Sequence, residues 1–274
     1  MIPETRRRGA KVGLALGGGG ARGFAHLGVA KALRELGIPI CCVAGTSIGS
    51  IVGGAIAADM LQRALNWAYE PDWFKLPTLF LKWHVPWRSL LGSERIEAFL
   101  AKMICARTFD ELHLPFAAVA TDLRNGEEVV MRTGDLQSAI RASMSIPGLF
   151  EPIERGGRIL VDGGLVNPVP ADVCRSLGAE AVIAVDINAN RVGTPALELA
   201  KLNLLDVIDQ TFTVVCNHTA KAVLAKAPPD VLLTPAVAAV KMMDFRDAGR
   251  LIDIGYACAM AHEGELRGLL RRGE

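Results

Sequence analysis

Short apolar runs alternate with longer stretches of helical period along this chain. Val12–Leu16 is an apolar run that empties into glycines, as a strand buried on both faces does. Phe24, Leu27, Ala30, Leu33 and Leu36 follow at helical spacing and Gly37 supplies a stop, which predicts a helix over 24–36. Pro39–Ala44 reads as a second strand. Ile48–Arg63 reads as a second helix, apolar enough that it has to be buried on most sides. Further strands are expected at Phe116–Thr121, Glu128–Met131, Arg158–Val161, Ala181–Asp186 and Asp230–Thr234, with a helix over Gly134–Ala142. From about Thr194 the period is mostly helical. Strands alternating with helices in this way favour an α/β fold with parallel strands.

Length and composition leave that picture standing. The chain has 274 residues, 51% of them hydrophobic, enough to bury the core of one large domain. No repeat or low-complexity linker divides it. The expected organisation is a tail at 1–10, a core at 11–190, and a mostly helical part at 191–274 packed on that core. The net charge of +1, with Arg6–Arg8 as the one basic run, gives no footprint for nucleic acid. Six cysteines, scattered except for Cys41-Cys42, show no zinc-site spacing and read as buried thiols of a reducing compartment. The run before the glycines is too short for a secretory segment, which needs about 7–15 apolar residues. The expected location is the cytoplasm, or the inner face of a membrane.

Chemistry concentrates in three glycine-rich places. Gly45-Thr46-Ser47-Ile48-Gly49 has the form G-x-S-x-G between a strand and an apolar helix, the context in which that motif presents a nucleophilic serine on a sharp turn. Gly45 and Gly49 are needed where strand and helix come too close for side chains. The helix N-terminus adds a positive dipole end beside Ser47. Upstream, Gly18-Gly19-Gly20-Ala21-Arg22-Gly23 satisfies G-x-G-x-x-G, yet a dinucleotide fold also needs an acidic residue about 20 positions later. This chain has Ala44-Gly45-Thr46-Ser47 there. The lysine and hydroxyl of a phosphate loop are missing too. What remains is a loop of backbone N–H groups suited to a developing negative charge, with Arg22 supporting it or adding charge.

A nucleophilic serine needs a base. None of the five histidines, His26, His84, His113, His218 and His262, falls in a strand-end turn; His26 reads as a packed or capping residue and His218 and His262 as solvated. Asp162 is better placed, because the strand Arg158–Val161 delivers it into Gly163-Gly164, where backbone approaches closely. Asp122, at the end of the Phe116–Thr121 strand, is a competing carboxylate. Ser145 is a competing nucleophile, expected instead at a helix-to-loop junction.

Taken together, LGGGGARGFAHLGV, AGTSIGS, the ATDL and SIPG segments at Ala120 and Ser145, and VDGGLVNPVP resemble the patatin-like phospholipase family, in particular bacterial members similar to the catalytic domain of neuropathy target esterase. The resemblance covers Val12 to about Asn188. It implies a three-layer patatin-like α/β fold with a central, mostly parallel sheet flanked by helices. It also implies hydrolysis of lipid or lysophospholipid acyl esters by a Ser-Asp dyad through an acyl-enzyme, with Ser47 as nucleophile and Asp162 as base. Gly18, Gly19, Gly20 and Arg22 would form the oxyanion hole. An aspartate at its usual pKa of about 3.9 is a weak base, so most of the rate is expected from the N–H donors. No cofactor and no metal, calcium included, is expected.

Between Trp67 and Trp87 seven of 21 residues are aromatic, including all four tryptophans of the chain. The segment 67–88 is either a subdomain packing its own rings or a lid or peripheral membrane surface admitting acyl chains. Two other readings stay open on sequence: a non-catalytic regulatory or lipid-binding protein retaining a hydrolase fold, and a dinucleotide enzyme. Head group, acyl length and oligomeric state leave no mark on the sequence.

Overall fold

The apolar runs at Val12–Leu16 (β1), Ile40–Thr46 (β2), Phe116–Asp122 (β3), Glu128–Met131 (β4), Ile153–Arg155 (β5), Arg158–Asp162 (β6), Ala181–Val185 (β7) and Val231–Leu233 (β8) all join one sheet. They do so in a computed structural model that describes residues 10–69, 100–189, 202–237 and 239–271. The order is β5-β6-β3-β2-β1-β7-β8, with β4 on β3. Neighbours from β3 through β8 are parallel, whereas β4 and β6 on β3, and β5 on β6, are antiparallel. The α-helices that lie wholly within the described residues are α1 Phe24–Glu35, α2 Ile48–Ala57, α3 Leu61–Ala68, α4 Leu136–Ser143, α5 Ala171–Ser176, α6 Leu204–Lys226, α7 Ala248–Ala261 and α8 Glu263–Arg271. None of the helices among the described residues is long and apolar enough to cross a membrane.

Alternation along the strands builds three layers. Val12, Leu14, Leu16, Val43, Phe116, Ile183 and Val185 face one side, where α1 to α4, α7 and α8 cover them. Ala15, Cys42, Ala44, Ala117, Val182 and Ala184 face the other, under α5 and the second half of α6. The central strands are buried on both faces, which is why they read as continuous apolar runs rather than as alternating ones.

Two expectations change, and two short elements were not foreseen. The apolar helix expected over 48–63 is two helices, because Asp59 takes a left-handed φ of 58°. The Met60 N–H then reaches back to Ala55 O at 2.7 Å and that of Asp59 to Ile56 O at 3.0 Å, a closure that ends α2. Aspartate is one of the few residues that accepts this conformation, and a pattern of apolar positions does not record it. Strand β5, three residues long, and helix α5, six residues long, escaped the periodicity. Among the thiols, Cys42, Cys174 and Cys216 are buried, but Cys105 is exposed and Cys41 and Cys258 are half-buried. Of the aromatic segment 67–88, only 67–69 falls within the described residues.

The helical part after residue 202 is fastened to the first helix. A Cβ on Gly28 would lie 1.9 Å from Ile252 O, and one on Gly255 would lie 2.0 Å from Ala25 O. Helices α1 and α7 therefore cross backbone to backbone. Gly28→Ala and Gly255→Ala are expected to destabilise by about 1–3 kcal/mol or more through overpacking. Gly264→Ala in α8, with nothing within 4 Å, should stabilise by up to about 1 kcal/mol through helix propensity. Urea denaturation of the three variants checks this; equal effects at all three sites would refute the close crossing.

Candidate active site

The site forms where one edge of β3 changes partner. Residues Phe116–Val119 pair with β2, so that Thr46 stands opposite Val119. The next residue, Ala120, stands opposite Asp162 of β6. Strand β4 pairs with Ala118–Thr121 as well, and a strand has only two edges, so β6 continues on the edge that β2 has just left. Asp162 is thereby set one strand step, about 3.3 Å, beyond the end of the strand that carries Ser47, although 115 residues separate the two along the chain.

Ser47 connects β2 to α2 with φ 55° and ψ −124°, a conformation that costs a non-glycine residue of order 1–3 kcal/mol. A serine at this helix position ordinarily bonds the first-turn N–H groups; here the turn swings the hydroxyl away and no such bond forms. The backbone is held instead. Ser47 N–H donates to Ser143 Oγ at 3.0 Å, and Ser47 O accepts from Ser50 N–H at 2.9 Å and Ser50 Oγ at 2.6 Å. Gly45 and Gly49 permit the tight turn because a Cβ on Gly45 would lie 2.3 Å from Gly49 O, and one on Gly49 2.1 Å from Leu16 O.

Asp162 is fully buried. Its Oδ1 accepts from Gly164 N–H at 2.8 Å, its backbone N–H donates to Ser145 O at 2.9 Å, and its carbonyl accepts from Thr121 Oγ1 at 2.8 Å. Burial pushes the carboxyl pKa up, the Ser47 hydroxyl and the Gly164 N–H pull it back, and the balance stands at about 7. Oδ2 has no hydrogen-bond partner of full geometry among the described residues. The two facts fit a Ser47 hydroxyl that is close to the carboxyl without being aligned on it. As a base this aspartate is far stronger than its residue type implies, because desolvation outweighs its two donors.

The glycine loop runs beside Ser47: a Cβ on Gly18 would lie 3.2 Å from Ser47 Cβ. Gly17 N–H donates to Val185 O and Gly18 N–H to Pro168 O, each at 3.0 Å, and Ala21 N–H to Met242 O at 2.7 Å. No described residue takes the N–H of Gly19 or Gly20. Gly20 has φ 58°, and a Cβ there would lie 2.4 Å from Met242 O. Arg22 is buried beneath the loop, bonded to Asn188 Oδ1 and paired with Asp209 at 3.4 Å. Asn188 Nδ2 in turn donates to Gly18 O at 2.7 Å. The guanidinium thus braces the loop from inside.

Ser47 opens onto a cavity of about 80 Å³ lined by Phe24, Ile48, Ile51, Met144, Phe150 and Met243 among others. Apart from Ser47 and the glycines its walls are apolar, and four methionines, Met103, Met144, Met242 and Met243, give it adaptable sides.

The other candidates lie elsewhere. His26 is buried, with Nε2 2.8 Å from Gly17 O; a carbonyl partner requires the proton on Nε2, and burial lowers the pKa to about 4. It serves the β1 turn. His113 and His218 are exposed, and His262 bonds Cys258 O. Asp122 closes the β3–β4 hairpin, accepting from Arg124 N–H at 3.0 Å and lying 3.7 Å from Arg158. Ser145, just after α4, exchanges hydrogen bonds with Arg141. Sequence reasoning missed the braces: Ser143, Asn167 (whose carbonyl accepts from Thr46 Oγ1 at 2.7 Å), Pro168, Asn188, Asp209 and Met242. The VNPVP that follows Asp162 was the available signal for two of them.

A sheet whose second strand ends in a strained serine, with a buried carboxyl and a glycine loop beside it, defines the class of fold as α/β with its candidate site at a strand-to-helix turn. Residues 14–175 match the family described as Patatin-like phospholipase, and the chain belongs to that family. It is 40% identical over 183 residues to an uncharacterized NTE family protein of Mycobacterium tuberculosis, covering 67% of this chain and 51% of that protein. It is 30% identical over 275 residues to Patatin-like phospholipase domain-containing protein 6 of Mus musculus, covering 90% of this chain and 20% of that one. The chain thus spans about half the length of the mycobacterial relative and a fifth of the mouse one. Among solved structures, VipD from Legionella pneumophila superposes with a TM-score of 0.53 at 13% identity, over 94% of this chain and 67% of that chain. That likeness is one of fold.

The buried carboxyl has a consequence for stability. The folded state holds the Asp162 proton more tightly than the unfolded chain does, at about 7 against an ordinary 3.8. The contribution to stability is therefore full below pH 3.8 and is lost as pH rises to 7, by on the order of 4 kcal/mol. Asp162→Asn is expected to unfold at a higher urea concentration than wild type at pH 8, with the gap closing toward pH 4. A gap that does not depend on pH would count against the buried, proton-holding carboxyl.

Proposed function

We propose that this chain hydrolyses acyl esters of lipids or lysophospholipids through a Ser47–Asp162 dyad. The observation that carries the reading is the corner itself: a fully buried carboxyl, one oxygen of which has no hydrogen-bond partner of full geometry among the described residues, beside a serine held in a strained turn at the wall of an apolar cavity.

An acyl chain lies in the cavity, its ester carbonyl over Ser47. The Ser47 hydroxyl attacks the carbonyl carbon as its proton passes to Asp162. A base near neutral pKa suits this transfer, since general-base catalysis is most effective when pKa and working pH are close. The carbonyl oxygen becomes an oxyanion and is met by the N–H groups of Gly19 and Gly20 and by the N-terminal end of α2. Gly18, whose N–H is committed to Pro168, and Arg22, tied to Asn188 and Asp209, hold those donors in place. Collapse of the tetrahedral species returns the proton from Asp162 to the leaving alcohol and leaves the acyl group on Ser47. Water then attacks the acyl-enzyme with Asp162 again as base, and the fatty acid departs with Ser47 restored.

The test is hydrolysis of a p-nitrophenyl ester and of lysophospholipid and diacyl phospholipid vesicles by wild type, Ser47→Ala and Asp162→Asn. Both variants are expected to fold and to lose at least about 10³-fold in kcat on every substrate that wild type turns over. Wild-type activity on the soluble ester should rise with pH through an apparent pKa of about 7. Full activity in Ser47→Ala, or an inert wild type, would overturn the reading.

A further inference from the structure

Helix α6 lies wholly beyond residues 14–175, the stretch that matches the family, yet one of its faces reaches the reaction corner. Asp209, Phe212, Thr213 and Cys216 recur at helical spacing and are all buried. Asp209 pairs with Arg22 under the glycine loop, and Thr219 donates to Leu165 O at 3.4 Å, which draws the helix along the Gly163–Leu165 turn. The contact that matters is at Gly164. A Cβ built there would lie 2.9 Å from Cys216 Sγ, 3.0 Å from Phe212 Cζ and 3.1 Å from Asp162 Oδ1. Glycine leaves that point empty, and the thiol and the ring close on it from the helix side.

Resting on the dyad proposed above, we infer that Phe212 and Cys216 are positioning residues for the reaction: they seal the back of the Asp162 carboxyl from water and hold it toward Ser47. Cysteine suits the task, being small and apolar in its packing, and Phe212 supplies bulk. The groups around the carboxyl leave the seal as the deciding influence. From the β2–α2 turn comes the Ser47 hydroxyl, from the Gly163–Leu165 turn the Gly164 N–H, and from the α4 end a carbonyl, Ser145 O. From β3 comes Thr121, whose hydroxyl bonds the Asp162 backbone. From α6 comes the Cys216 thiol, whose own pKa is raised, first by burial and then by Asp162. Arg22 and Asp186 act on that thiol with opposite signs, Arg22 is engaged by Asp209 and Asn188, and Arg141 is engaged with Ser145. With no ion pair to the carboxyl among the described residues, exclusion of water is what keeps its proton affinity high.

The experiment is the pH profile of kcat/KM on a soluble p-nitrophenyl ester, from pH 5 to 9, for wild type, Cys216→Ser and Phe212→Ala, with folding checked by circular dichroism. Cys216→Ser replaces the thiol with a slightly smaller, more polar hydroxyl; Phe212→Ala makes room for water beside a polar group. Both are expected to move the acid limb to lower pH by about one unit, toward the ordinary carboxylate range. A lower rate with the limb unmoved would assign both residues a purely structural role and overturn the inference. Should Phe212→Ala fail to fold, the near-isosteric Cys216→Ser decides in the same way. A wild type without an acid limb near neutrality would instead overturn the dyad, and the role of α6 with it.

Discussion

One edge of strand β3 serves two neighbours in succession, and the rest of the site depends on that hand-over. Parallel β2 ends opposite Val119, and antiparallel β6 takes up the same edge at Ala120. Side chains in a sheet have a period of two, so a slip of one residue in either ladder would turn Ser47 or Asp162 to the opposite face. The placement is therefore made by backbone hydrogen bonds, which are directional and numerous, rather than by any contact between the two side chains. The chain then fixes it from further directions: Ser143 holds the Ser47 N–H, Ser145 holds the Asp162 N–H, and the segment after Asp162 grips Thr46 through Asn167 and the glycine loop through Pro168.

This corner is costly to the fold. A carboxyl with no ion pair among the described residues is fully buried, and a serine takes a positive φ of 55°. Both act against stability, and both are tolerated because a double-sided apolar core surrounds them. What the fold loses there is what the proposed chemistry uses. The desolvation that disfavours an ionised Asp162 raises its proton affinity to about 7, which is what the proposed general-base step would use, and the turn that strains Ser47 removes its hydroxyl from the capping bond a helix would otherwise claim.

Much of this was legible in the sequence. β1 coincides with its apolar run, α1 ends one residue short of its expected stop, and the strands at Phe116, Glu128 and Arg158 differ from expectation by at most a residue at either end, because long apolar runs and glycine stops act locally. The three glycine-rich segments could be picked out for a similar reason: close approach and sharp turns exclude side chains, so the constraint is written in residue type. The break at Asp59 and the short β5 and α5 were not legible. A left-handed aspartate leaves the apolar period unbroken, and elements of three and six residues are too short to establish one.

Residue types and their spacing thus determined an α/β sheet, a serine on a strand-to-helix turn, a glycine loop and an aspartate at a second turn. Only the tertiary structure decided that Gly18 N–H is spent on Pro168 while no described residue takes those of Gly19 and Gly20. It also decided that Arg22 faces inward, and that Asp162 is fully buried with its pKa raised to about 7. The reason is that accessibility, hydrogen-bond allegiance and proton affinity are properties of surroundings drawn from distant parts of the chain, here Pro168, Asn188, Phe212, Cys216 and Met242, and no local pattern carries them.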